Sequence, residues 1–130
     1  MKYMMMQAKS VMLVDDEPEL LTVMTLMLEA QGFVVHGFTD PEKALDYAKN
    51  GIDCSVIVCD IRMPIMNGFQ LVRAVKNIHP EIKVILITAF NIHEKEWQKT
   101  LPSTEVNQFM IKPFDMSDLV ESIEMCAPVH

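Results

Sequence analysis

Apolar residues gather along the chain in short runs separated by longer amphipathic stretches. The runs are Val11-Met12-Leu13-Val14, then 33–38, 55–59, 83–87 and 108–111. They are rich in Val and Ile, and three are apolar almost throughout instead of alternating, as expected of strands covered on both faces. Between them, apolar positions recur at helical spacing. Leu20, Leu21, Met24, Met27 and Leu28 follow Pro18, a favourable first-turn residue, and the pattern stops at Gly32. Ala44, Leu45 and Ala48 follow the cap-like Asp40-Pro41 and end at Asn50-Gly51. Phe69, Leu71, Val72, Val75 and Ile78 form a third stripe, stopped by Pro80, and Asp115 is placed to cap a last helix carrying Leu119, Val120 and Ile123. The pattern is weakest from 91 to 107. There Ile92, Trp97 and Leu101 predict a short fourth helix ended by Pro102, with 102–105 as loop.

Strand and helix therefore alternate five times. That order predicts an α/β fold, a doubly wound parallel sheet with helices on both faces and right-handed crossovers. Ligands of such sheets bind outside the carboxyl ends of the strands, where the winding direction switches. The residues that follow each apolar run are thus the candidates for chemistry. With 130 residues and no repeat, low-complexity tract or linker, one domain is expected.

Composition narrows the function. Eleven basic against eighteen acidic side chains leave a net charge of −7, and no basic stripe appears, so direct nucleic-acid binding is not expected. No charge-free stretch is long enough to span a bilayer, and the first seven residues lack the apolar core and cleavage site of a signal peptide. A cytoplasmic protein without membrane contact is expected. Four glycines leave no Gly-rich phosphate cradle or dinucleotide fingerprint. Cys54, Cys59 and Cys126 read as free, mostly buried thiols of a reducing compartment, and His36, His79, His93 and His130 lack the paired spacing of a zinc site.

The strand ends carry the signal. The first run ends in Asp15-Asp16-Glu17, the third in Asp60, the fourth in Thr88-Ala89 and the fifth in Lys112-Pro113. Any one polar residue there marks only where a strand leaves the core. Acids, a hydroxyl and a lysine at four equivalent ends point to a site. If the first and third strands are neighbours, their axes lie about 4.8 Å apart, and Asp15, Asp16 and Asp60 share one crevice. Carboxylates so crowded do not all stay ionised unaided. A hard divalent cation relieves the repulsion, and oxygen-only ligands suit Mg²⁺. Asp60 is then placed as a nucleophile that accepts a phosphoryl group. Lys112 supplies positive charge to the phosphoryl oxygens and Thr88 a hydroxyl donor.

These residues resemble a known family. Val14-Asp15-Asp16-Glu17, the segment Asp60-Ile61-Arg62-Met63-Pro64-Ile65-Met66-Asn67-Gly68, Thr88-Ala89 and Lys112-Pro113-Phe114 resemble, in order and position, the receiver (CheY-like) domain of two-component response regulators. The resemblance covers roughly residues 8–126, with 1–7 and 127–130 as tails. It implies a flavodoxin-like (βα)5 sheet in the order 2-1-3-4-5. It also implies Asp60 as phosphoacceptor and Mg²⁺ as cofactor, held by Asp15, Asp16, Asp60 and the backbone carbonyl of Arg62, with Asp16 a direct ligand. Thr88 and Phe109 resemble the family's switch pair, although Phe109 reads equally as a buried strand residue. Lys112-Pro113 resembles the family's cis peptide.

The implied function is a signalling domain that catalyses only its own phosphorylation and dephosphorylation. The donor would be a sensor histidine kinase or a histidine phosphotransfer protein. The output would be a protein target docked on the face of the fourth helix, fifth strand and fifth helix, by a monomer or a phosphorylation-dependent dimer. Two departures stand out: Leu101-Pro102-Ser103-Thr104-Glu105 replaces the family's frequent Gly-Ala pair, and Phe90 stands two past Thr88. Phe90, bulky and apolar, and Arg62, long and cationic, flank the expected path of hydrolytic water and predict a slowly decaying phosphoryl state. Two alternatives remain at this point. A Mg²⁺-dependent aspartyl-phosphate phosphohydrolase would want an acid where Arg62 stands. A non-phosphorylated pseudo-receiver scaffold would be expected to lack one of the site residues.

Overall fold

The computed structural model describes residues 9–51, 53–89 and 105–126. Strand β1 (Ser10–Val14) is followed by α1 (Pro18–Ala30), β2 (Val34–Phe38), α2 (Pro41–Lys49), β3 (Val56–Asp60), α3 (Gly68–Ile78), β4 (Lys83–Thr88), β5 (Gln108–Ile111) and a last helix, Met116–Cys126. The expected fourth helix with Trp97, the rim residue Phe90 and the two expected tails lie outside the described residues.

All strands run parallel, in the order β2-β1-β3-β4-β5. This is the five-stranded, helix-flanked sheet that the alternation of elements and the family resemblance implied. Successive residues of each strand serve opposite faces, which is why the runs read as continuously apolar. Met12, Val14, Ile57, Cys59, Val84 and Leu86 pack with Ala44, Ala48, Leu71, Val72 and Val75 of α2 and α3. On the other face Val11, Leu13, Val56, Val58, Ile85 and Ile87 pack with Met24 and Leu28 of α1 and with Leu119 and Ile123 of the last helix.

Local chemistry sets the element ends. Asp40 caps α2, its Oδ1 accepting the Glu42 N–H at 2.9 Å. A reciprocal box opens α3: Asn67 Oδ1 accepts from the Gln70 N–H, and Gln70 Oε1 accepts from the Asn67 N–H, each at 2.9 Å. Phe33 differs from its expected place at the head of the second strand. Its N–H donates to the Leu28 carbonyl, and Gly32, at φ +96°, donates to Glu29. The pair closes α1 in the manner of a Schellman turn, so the buried Phe33 belongs to the helix end and β2 starts one residue later. Asp60 and Thr88 are the last residues of their strands, still paired in the ladder with Ile87 and Ile111. Backbone pairing continues past the point where the side chains turn polar.

The segment after β3 holds one strained residue. Ile65 has φ +72°, and the Met66 N–H donates to the Pro64 carbonyl at 2.7 Å. That is a γ-turn of the rarer hand, centred on a β-branched residue with no compensating burial, since Ile65 is 82% exposed. Asn tolerates this conformation, and the left-handed region costs other residues roughly 1–2 kcal/mol. Ile65→Asn is therefore expected to raise the melting temperature by roughly 3–5 °C. A thermal melt showing no rise would mean that the turn stores no strain.

Candidate functional site

The register brings the predicted residues together. Val14 pairs with Cys59, so Asp15 and Asp60 leave adjacent strands side by side. Thr88 ends β4 opposite Ile111, and the Lys112 N–H donates to the Thr88 carbonyl at 2.8 Å, which sets Lys112 one step beyond β5. The Lys112-Pro113 peptide is cis, as the resemblance implied.

Lys112 reaches across the sheet end to three carboxylates. Its Nζ lies 3.1 Å from Asp15 Oδ2, 3.2 Å from Glu17 Oε1 and 3.4 Å from Asp60 Oδ2. The second oxygens of the two buried aspartates find backbone donors. Asp15 Oδ1 accepts from the Glu17 N–H at 2.9 Å, and Asp60 Oδ1 from the Arg62 N–H at 3.3 Å. Asp15 is wholly buried and Asp60 is 5% exposed, while Asp16 is half-buried and Glu17 exposed. One oxygen from each of Asp15, Asp16, Glu17 and Asp60 falls within 4.8 Å of the others.

Burial dominates the electrostatics. It pushes the Asp60 carboxyl up from 3.8 to about 6, with Lys112 opposing and Asp15 adding to the rise. Asp15 is raised as well, again by burial, against the Glu17 N–H and Lys112. Burial acts to lower Lys112, but Asp15 and Asp60 outweigh it and hold the ammonium above its ordinary value. The site thus carries more negative charge than one lysine neutralises. Its donors are all oxygen, clustered and partly open to solvent, and they fit a hard divalent cation.

Thr88 is buried at the rim of this cluster, and Phe109 packs half-buried against the core layer that holds Cys59 and Leu86. Arg62 is exposed, its backbone N–H turned onto Asp60. Asp15, Asp16, Asp60 and Lys112 therefore converge, Thr88 borders them, and Phe109 lies on the neighbouring strand. Glu17 joins Lys112 as well. The sequence shows it as a third consecutive acid, but only the geometry of the turn after β1 aims it at the lysine.

Known proteins resemble this chain in sequence and in fold. A family profile described as the response regulator receiver domain matches residues 11–124. Response regulator GtcR of Aneurinibacillus migulanus is 30% identical over 119 residues, covering 90% of this chain and 47% of GtcR. The chain thus spans about half the length of that curated relative. Among solved structures, a CheY-like receiver domain protein from Methanospirillum hungatei superposes with a TM-score of 0.82 at 24% identity, covering 92% of this chain and 93% of that one. Response regulator TrrA from Thermotoga maritima, solved in complex with Mg²⁺-BeF, gives 0.77 at 24% identity, covering 91% and 98%. Fold, acidic pocket and profile agree: this chain belongs to the response regulator receiver domain family.

Proposed function

We propose that this domain is a phosphorylation-driven switch that accepts a phosphoryl group on Asp60 from the phosphohistidine of a sensor histidine kinase or phosphotransfer protein. The observation that carries the reading is the convergence of Asp15, Asp60 and Lys112 at the carboxyl ends of β1, β3 and β5, with Lys112 bridging the two buried carboxylates. In the transfer, an Asp60 carboxylate oxygen attacks phosphorus and the nitrogen–phosphorus bond breaks. The imidazole leaves with the electron pair, and the product is an acyl phosphate.

Mg²⁺, held by Asp15, Asp16, Asp60 and the Arg62 carbonyl, would neutralise charge on the phosphoryl oxygens. The solved TrrA complex contains Mg²⁺-BeF, and the oxygen-only donor set here suits the same ion. Lys112 turns from Asp60 to a phosphoryl oxygen without losing Asp15. The Thr88 hydroxyl donates to another phosphoryl oxygen, and Phe109 follows it inward. The face that includes β5 and the last helix then carries the change to a protein target. This is a shift between two packings of one fold. The domain works as a phosphoacceptor rather than as an enzyme on an external substrate. Among the described residues, no helix is long and apolar enough to cross a membrane.

Intact-mass measurement tests the reading. Incubated with Mg²⁺ and acetyl phosphate, the protein gains one phosphoryl group, whereas Asp60→Asn gains none, and a chelator suppresses the wild-type signal. Phosphorylated Asp60→Asn protein would overturn the assignment.

A further inference from the structure

Gly68 opens α3 at a place where the chain has no room for a side chain. A Cβ built on it falls 2.3 Å from the Asp60 carbonyl oxygen, 2.8 Å from Ile61 Cα and 3.0 Å from the Asp60 carbonyl carbon. All three are backbone atoms, so no rotamer change makes space. The requirement is one of space and not of backbone conformation, since Gly68 is not among the residues with positive φ. Its N–H meanwhile donates to the Ile61 carbonyl at 2.8 Å, and on the far side the Ile61 N–H donates to Ile87 of β4 at 2.9 Å. Ile61, the residue next to Asp60, is clasped between β4 and the first turn of α3.

We propose that Gly68 is a positioning residue for Asp60: lacking a side chain, it lets α3 close against the backbone of the phosphoacceptor and sets how deep the carboxylate stands. The proposal rests on the phosphoacceptor reading above. When a methyl group is added, one partner must yield. Helix α3 is anchored by buried Phe69, Leu71, Val72 and Val75 and by the Asn67 box. The Asp60–Ile61 peptide stands at the end of its strand, where the Ile61 N–H bond to Ile87 is the last backbone bond to β4. The displacement therefore falls on Asp60, whose carboxylate is spaced at 3.4 Å from Lys112. A reacting group misplaced by about 1 Å loses up to about 100-fold in rate.

The test compares Gly68→Ala with Gly51→Ala, using acetyl phosphate and Mg²⁺ on the whole chain. Gly51 follows α2 at the opposite end of the strands from the site, at φ +86° with open space around it, so its substitution strains the fold without touching the site. Gly68→Ala is expected to stay folded by circular dichroism and to lose ten- to about 100-fold in maximal phosphorylation rate. Its half-saturating donor concentration should change little. Gly51→Ala should lower the melting temperature and keep the wild-type rate. Three results overturn the proposal: an undiminished rate for Gly68→Ala, failure of that variant to fold, or equal slowing in both variants. A wild-type protein that accepts no phosphoryl group would instead overturn the function it rests on.

Discussion

In magnesium-free buffer at about pH 8, Asp60→Asn melts roughly 10 °C above the wild-type protein. The expectation follows from the cost of keeping Asp60 ionised. Its carboxyl is 5% exposed, and burial first, then Asp15, push it from 3.8 to about 6 despite Lys112. A carboxyl raised in the folded state binds its proton more tightly there than in the unfolded chain. Its contribution is fully present below about pH 3.8 and is lost as pH rises through about 6. Above that, ionised Asp60 costs the fold about 3 kcal/mol. Asn keeps the shape and removes the charge, so the gap between the two melting curves should open as pH climbs from about 5 to about 8. A cation at the cluster should close it from the other side: Mg²⁺ at about 100 times its dissociation constant adds roughly 2.7 kcal/mol to the wild type, and less to the variant. A gap that ignores pH, or a variant that melts lower throughout, would show that Asp60 is not under electrostatic strain.

Lys112→Met should fail in both stability and chemistry. Lys112 is the cation that bridges Asp15 and Asp60, at 3.1 and 3.4 Å. Removing it leaves two buried carboxylates facing each other, a loss on the order of 3–5 kcal/mol at neutral pH. In phosphoryl transfer it removes a fixed charge from the developing oxyanion, worth about 10²–10³ in rate. Lys112→Arg keeps the charge but replaces a point donor with a planar fork and should recover stability better than rate. Melting curves and acetyl-phosphate time courses read the two effects separately. A Lys112→Met protein phosphorylated at the wild-type rate would remove Lys112 from the mechanism.

The candidate site was legible because strand ends are marked by chemistry. Asp15, Asp60, Thr88 and Lys112 each follow an apolar run, and a parallel sheet places equivalent ends together. Caps were legible for the same local reason, as at Asp40. What depended on the path of the backbone was not. Phe33 reads as a strand residue by its apolarity, yet a left-handed Gly32 turns it back under α1. Gly68 carries no side chain whose chemistry could announce its contact with Asp60. Ile65 gives no sign in sequence of a positive φ, because a β-branched residue is the last type expected there. Glu17 looks like one more solvated acid until the turn aims it at Lys112.

The central claim is that Asp60 itself carries the phosphoryl group. An acyl phosphate on aspartate is reduced by borohydride to homoserine, which marks the modified residue permanently. Protein treated with acetyl phosphate and Mg²⁺, reduced and digested, should yield homoserine at position 60 and nowhere else. Homoserine at Asp15 or Asp16, or phosphorylated protein without any homoserine, would contradict the account.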